Sequence, residues 1–555
     1  LPPRPSWEEV VAAQEEVRAL MGERSIESLL ELPLVSDPDM KAVLGVLAAL
    51  FTPACCTDNN LLILQLCRVV SLSLRHGNSE AAVIGYSWYG LVLGHAFKKY
   101  REGHAFGELA CALVERHGFS AYRGMALYSL EIINPWTQPM ARSLELIRSA
   151  FHHALLAGDF QAACYCCNHI VTDSLMLGQP LDEVHAESVA RYDFVRRAGF
   201  QDVLDVIRGS QRYVQQMRGL TRSFDTLSGE DFEEEAFEAS LTPDRMSTMR
   251  CWYWILKMQA RYMCGAYEEA RAAGDKAAGL LWTSFGHIQL LDFHLYRGLT
   301  LAASLPGAAP GERERWLEEL RGHQRQLAEW AGHGAGNFLA PERMLSGELA
   351  RVMGRSEEAM SAFEEAIQSA REHGFLQNVA LASELAANFW RARRFPTIAD
   401  SYARGAREAY LRWGAHGKVK QLESRWPELA LAACAERESS HDTDSSQIDA
   451  LTVVKAQRAI SGEIVQERLV TTLMQVAIEN AGAQRGALLL VRGDTLRVMA
   501  ISGESPEDPI LLPPEGAPAE LPWTLISYVK RTCEHVLIGD ATRVHVFPSD
   551  EYLQR

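Results

Sequence analysis

The chain has 555 residues, 47% of them hydrophobic and 23% charged, and carries a formal net charge of -16. That length predicts more than one folding unit, and the balance is that of a globular protein rather than a disordered or fibrous one. The negative charge, with no concentrated Lys/Arg stripe to override it, argues against nucleic acid and anionic lipid as partners.

The chain opens LPPRPSWEEV, with no charged-then-apolar leader. It reads as an interdomain linker entering a helix, so the chain is expected to be a piece of something longer. Ser6 and Glu9 have capping-box spacing, in which the Ser oxygen and the Glu side chain satisfy orphan amides at a helix start. The most apolar window, LLILQLCRVVSLSL at 61–74, is interrupted by Gln65 and Arg68. It is too short for roughly 30 Å of hydrocarbon, so it reads as a core helix and no membrane span is expected.

The 11 Cys are scattered within helical pattern, as at Cys67, Cys111, Cys251 and Cys264. They read as reduced thiols of a cytoplasmic protein. One cluster, CYCCNH, brings Cys164, Cys166, Cys167 and His169 together. A structural zinc site needs a second ligand pair across a loop, and none follows, so these are expected to be packed helix residues and no metal is expected.

From about residue 6 to 430 apolar residues recur at three- and four-residue spacing between Gly, Asn and Asp turns, the pattern of consecutive amphipathic helices. Residues 344–370, MLSGELARVMGRSEEAMSAFEEAIQSA, match the spacing of a tetratricopeptide helix pair. Gly347 is the small residue of the first helix, Gly354 opens the turn, and Ala359, Phe363 and Ala366 line one face of the second. Weaker echoes are GNSEAA (77–82), GDFQAA (158–163), GAYEEA (265–270) and RFPTIA (394–399), irregularly spaced. The aromatic clusters YSWYG (86–90) and CWYWILKMQARY (251–262) are expected to fill inter-repeat gaps in the core rather than line a ligand groove.

The expected domains are a helical-repeat region over 1–433, a polar linker over 434–447 and a small α+β domain over 448–555. In the last, Ile464–Asn480 is predicted as an amphipathic helix, followed by strands at 487–491 and 495–502 about a Gly493-Asp494 turn. A Pro-rich loop (505–522), a helix at 523–533 and a strand at 535–540 complete the pattern.

This order, headed by AISGEIVQERLVTTLMQVAIENAGAQRGALLLV, resembles the first half of a GAF domain. More specifically it resembles that of large bacterial signalling proteins that join a serine/threonine kinase-like domain, an AAA/STAND-type ATPase, a helical-repeat region, a GAF domain and a sensor histidine kinase. The helical region resembles theirs at 51–94, 133–163, 175–184, 287–303 and 373–423; in the last segment Tyr402, Ala403, Ala406, Tyr410, Trp413 and Gly414 recur in order. The resemblance implies a mostly α fold: a degenerate tetratricopeptide-like helical-pair solenoid, then a small, incomplete α+β GAF-like domain. Lacking strand neighbours, Leu488 and Leu490 are expected to be poorly covered.

No Walker loop, protein-kinase motif set, HExxH or GxSxG occurs in the sequence. His185 in DEVHAES reads as a solvated surface histidine rather than a phosphorylated one. Cys533, near His535, reads as a helix-end Cys rather than a chromophore attachment point. No catalytic residue, metal ligand or cofactor is therefore assigned, and cofactor-binding residues stay undetermined. The expected role is non-catalytic: regulation and protein interaction, relaying ATPase or partner state to a GAF sensor and a histidine kinase. The expected partners are a protein or neighbouring domains of the same polypeptide. The alternatives are a small-molecule sensor acting through a complete GAF domain and, less supported, an enzyme with a site that motifs do not reveal.

Overall fold

The computed structural model describes residues 2, 4–429, 474, 485–492, 495–502, 521–532, 536 and 552. The chain divides into two compact units, Leu1–Cys434 and Ala435–Arg555. It is mostly helical, with a two-stranded sheet among the described residues.

The first unit begins with Trp7–Met21 (α1), Pro38–Ala49 (α2), Phe51–Thr57 (α3), Asn59–His76 (α4), Glu80–Phe97 (α5), Tyr100–His117 (α6) and Arg123–Ile133 (α7). It continues through Met140–Leu156 (α8), Phe160–Met176 (α9), Leu181–Ala198 (α10), Gln201–Arg218 (α11), Glu234–Ala239 (α12), Ser247–Cys264 (α13) and Tyr267–Ala278 (α14). Gln289–Ser304 (α15), Pro310–Ala331 (α16), Ala335–Val352 (α17), Ser356–Glu372 (α18), Leu376–Ala392 (α19), Pro396–Trp413 (α20) and His416–Arg425 (α21) close it.

Local chemistry sets many of these boundaries. The capping box forms at α1: the Glu9 amide donates to Ser6 Oγ at 3.2 Å and the Ser6 amide to Glu9 Oε2 at 2.8 Å. Asp58 and Asp159 cap α4 and α9 by accepting the Leu61 and Ala162 amides, each at 2.9 Å. Each echo in the sequence lies at a turn between helices: α4/α5, α8/α9, α13/α14 and α19/α20. The helix 61–74 lies in the core as expected, with Leu62, Ile63, Leu66 and Val70 buried. By length and composition alone, Pro38–Cys55 passes as a membrane-crossing helix with 17% of it buried, but the backbone divides it at Leu50 into α2 and α3.

Neighbouring helices pack as pairs, α5 on α6, α17 on α18 and α19 on α20 among them. The pair α17/α18 shows how. Gly354 turns the chain at φ 75°, a conformation costly for a side chain with Cβ. A Cβ on Gly347 would stand 2.6 Å from the Phe363 ring, so only glycine lets that ring seat against α17. Ala359, Phe363 and Ala366 are buried beneath it, in the roles their spacing predicts.

The helices also return upon one another. Trp136, in the turn after α7, is 2% exposed; its Nε1 donates to the carbonyls of Ile132 (3.0 Å) and Gly286 (3.1 Å). Its ring stacks on Phe338 at 5.3 Å and meets Trp330 edge-on at 4.9 Å. Asn337 Nδ2 donates to the carbonyls of Pro135 (2.6 Å) and Gln138 (2.7 Å), pinning α17 to that turn. Gln377 at the start of α19 donates to the Met176 carbonyl at 2.6 Å. Helices far apart in the chain are thus packed against one another within the first unit.

In the second unit Ala487–Arg492 (β1) and Thr495–Ile501 (β2) form the antiparallel hairpin that the sequence predicts, with an irregularity in register between Leu488 and Leu489. The turn residues 493 and 494 lie outside the described residues. Met474, within the predicted helix 464–480 that otherwise lies outside them, is buried with Ala500 against Leu488 and Met499. Leu490 is 48% exposed and Leu488 half-buried, the weak coverage expected of them. Trp523–Thr532 (α22) stands where a helix was predicted. The strand predicted at 535–540 falls outside the described residues except for position 536.

Candidate functional site

Successive residues of a helix are about 100° apart, so an aromatic cluster cannot face one way. In α5, Tyr86 and Tyr89 turn inward onto Phe106, at 5.9 and 5.2 Å. Trp88 turns elsewhere, toward Phe51 at 4.7 Å and Tyr128 at 6.2 Å. In α13, Tyr253, Trp254 and Met258 enter the core while Trp252 stays half-buried. The expectation that these clusters pack the core holds for most of their residues, but Trp88 and Trp252 line a cavity of about 450 Å³.

The cavity lies among α3, α5, α7, α9, α11, the start of α13 and the segment 282–287. Its aromatic side is nearly continuous. Tyr128 lies 5.0 Å from His169, His169 6.0 Å from Trp252, and Trp252 5.2 Å from His287. Trp252 is held in place by its Nε1, which donates to Ser284 Oγ at 3.0 Å. Trp282, 45% exposed, stands at the rim.

Behind this wall is a buried polar relay. His169 Nδ1 lies 2.9 Å from Glu131 Oε2, and His169 Nε2 lies 3.2 Å from the Tyr128 hydroxyl. Burial drives the Glu131 carboxyl well above its ordinary value, and burial with the neighbouring Glu131 does the same to Asp173. Burial also holds the His169 imidazole down at about 3, and that of His287 at about 3 with His169 beside it. A neutral imidazole donates at one nitrogen and accepts at the other, so His169 is the donor in one of these two bonds and the acceptor in the other. Burial thus favours the uncharged form of every group in the relay.

The geometry is that of a hydroxyl, an imidazole and a carboxyl in series, which in other settings activates a nucleophile. Here a histidine held at about 3 is a poor base, and burial pushes the Tyr128 phenol well above its ordinary value. Both shifts oppose proton transfer at neutral pH.

Charge gathers at the rim. Arg245 Nε donates to Asp202 Oδ1 at 2.7 Å and its Nη2 to Asp205 Oδ2 at 2.5 Å, so two carboxylates neutralise its guanidinium. Asp244 is exposed, and a hydrogen bond from Thr242 holds its carboxyl below the ordinary value. Asp159, the α9 cap, is exposed on the same lining. Trp88 Nε1 and Asn168 Oδ1, both on buried residues of the wall, have no hydrogen-bond partner.

The residues singled out by sequence fall in different places. Cys164 and Cys167 are buried in the main core and Cys166 in a separate cluster with Leu144, Ile147 and Ile170. Burial raises all three thiols, that of Cys167 to about 12, so they are protonated. His169 is turned from them to Glu131, and no group able to hold a metal occurs among the described residues. His185 is half-buried rather than fully solvated, its Nε2 3.2 Å from Gln215 Nε2. Cys533 and His535 lie outside the described residues. Sequence reasoning missed Glu131, Asp173, Tyr128 and His287. The available signal was a lone carboxyl inside an apolar helix, in LYSLEIINPW and IVTDSLM.

The first unit is therefore a helical scaffold with an aromatic-walled cavity and no charged group in its buried relay. No protein-family model matches the chain. Over 190 residues, 33% of the chain, it is 26% identical to hybrid signal transduction histidine kinase G of Dictyostelium discoideum. The match spans 6% of that protein's length.

Proposed function

We propose that this chain is a non-catalytic regulatory segment of a cytoplasmic signal-transduction protein. In this reading residues 1–433 are a degenerate tetratricopeptide-like solenoid, 434–447 a linker and 448–555 part of a GAF-like domain. The solenoid relays the state of a partner, or of neighbouring domains such as an ATPase, to the GAF sensor and a histidine kinase. The observation that carries it is the similarity to a signal transduction histidine kinase over a third of the chain. The Gly347–Phe363 seat and the paired helices support the repeat reading. The weak base at His169 supports a non-catalytic role.

A second reading, small-molecule sensing, is favoured by the aromatic cavity of the helical unit. Phosphorylation tests the regulatory role. The native gene product, incubated with ATP, is expected to acquire acid-labile, base-stable phosphohistidine. Trp136→Ala, which loosens the helical unit, is expected to change that level about threefold or more at equal protein amount, a population shift of under 1 kcal/mol. A gene product without phosphohistidine, or with a level indifferent to Trp136→Ala, contradicts the proposal.

A further inference from the structure

We propose that the cavity walled by Trp88, Tyr128, Trp252 and Trp282 binds a small organic cation, an ammonium group carried on an aromatic or alkyl body. This deepens the sensing reading and rests on it for any effect on signalling; the binding stands on the cavity alone.

Size comes first. Two other pockets of the same unit, one among α9, α13, α15, α17 and α19 and one among α9, α11, α13 and α15, hold about 40 Å³ each, space for little more than a water. The cleft walled by Trp88, Tyr128, Trp252 and Trp282 holds about 450 Å³, more than the clefts of about 330 Å³ beside Phe160 and Phe200 and about 250 Å³ between α2 and α5. It is also within the range of roughly 300–1,000 Å³ usual for small-molecule sites.

The walls choose the ligand. Indole and phenol rings present negative faces, and a cation within about 6 Å of such a face is attracted by the ring quadrupole, most strongly for Trp. Three of the named rings are Trp. The charged groups of the lining act in the same direction. Arg245, the only Lys or Arg among the lining residues described, is neutralised by Asp202 and Asp205, while Asp159 and Asp244 leave the rim acidic. An anion would meet carboxylates at the entrance and no free cation inside. A neutral ligand would gain the apolar contact but nothing from the rim.

Three soluble probes with one body separate these cases: phenethylamine, 2-phenylethanol and 3-phenylpropionate, titrated at pH 7 against the full chain by tryptophan fluorescence and calorimetry. Phenethylamine is expected to bind one site, about tenfold or more tighter than 2-phenylethanol, with 3-phenylpropionate weakest; tenfold corresponds to about 1.4 kcal/mol. Trp252→Phe and Trp282→Ala are expected to weaken phenethylamine binding about fivefold or more, and exposed Asp244→Asn to narrow the cation-to-alcohol ratio about threefold. Far-UV circular dichroism and thermal melts of each variant separate loss of the site from loss of the fold, and Trp282→Ala and Asp244→Asn alter exposed side chains only. Equal binding of the alcohol and the amine overturns the cation assignment, and no saturable binding of any probe up to about 10 mM overturns the site. Saturable amine binding that leaves phosphohistidine in the native gene product unchanged supports the site and contradicts the sensing reading instead.

Discussion

Two buried polar clusters in the helical unit treat charge in opposite ways. At the join of α19, α20 and α21, the Lys418 Nζ donates to the Met263 carbonyl at 2.9 Å, to Glu384 Oε1 at 3.0 Å and to Gln421 Oε1 at 3.0 Å. Three acceptors take three N–H groups, so the side chain is an ammonium, although burial lowers its affinity for the proton. Glu384 also accepts from the Tyr410 hydroxyl at 2.8 Å. Beside the cavity, by contrast, Glu131, Asp173 and His169 have no cation to meet, and burial leaves them neutral. A buried charge survives where its partners are complete and is surrendered where they are not. The first arrangement fastens four helices, α13, α19, α20 and α21, and the second leaves a cluster without charge behind the cavity wall.

Acid is expected to break the neutral side with the largest effect. Burial holds His95, His169, His287 and His294 at about 3, against 6.5 for the free side chain. In the unfolded chain they take protons below about 6.5 and in the folded chain they do not, so stability falls as pH falls toward 3. The slope is up to ~1.4 kcal/mol per pH unit for each. The raised carboxyls of Glu131, Asp173 and Asp292, the last at about 7, oppose this between pH 4.5 and 6.5 because the folded chain keeps their protons. Net loss is therefore steepest below about pH 4, and urea titrations at stepped pH measure it.

Next in size is the charged side. Glu384→Gln leaves the Lys418 ammonium buried without its carboxylate and is expected to cost about 3–5 kcal/mol in urea unfolding at pH 7. Glu384→Leu with Lys418→Met, which removes both charges, is expected to recover much of that loss. The same carboxyl-to-amide change at Glu131 is expected to cost under about 1 kcal/mol, since Glu131 is already neutral. Its sign should depend on pH. In the parent the raised carboxyl costs stability as pH climbs above 4.5, so Glu131→Gln should gain on the parent as pH rises above that value. The smallest effect is expected at Trp282→Ala, under about 0.5 kcal/mol in stability because the ring is 45% exposed.

What the sequence revealed follows from how local each feature is. The Ser6–Glu9 box, the turn at Gly354 and the hairpin strands depend on residues a few positions apart, and all were legible. So was the seat of Phe363, because Gly347 and Phe363 belong to adjacent helices. In the segment 373–423 the structure gives reasons for the residues that carry the resemblance: Ala403 and Ala406 are buried small residues, Tyr410 bonds Glu384, and Trp413 is 2% exposed. The cavity was not legible, because the side of α5 on which Trp88 falls matters only once α3 and α7 are in place. Likewise the partner of His169 lies 38 residues away at Glu131, and Trp136 bonds Gly286 across 150 residues. A local pattern marks such residues as unusual in their helix without naming what they meet.

The most direct measurement of the contrast is a pair of infrared difference spectra at pH 7, parent minus Glu131→Gln and parent minus Glu384→Gln. The first is expected to show the carbonyl band of a protonated carboxyl and the second the bands of a carboxylate. A carboxylate signal from Glu131 would place a charge in the buried cluster behind the cavity and contradict the division between the two clusters.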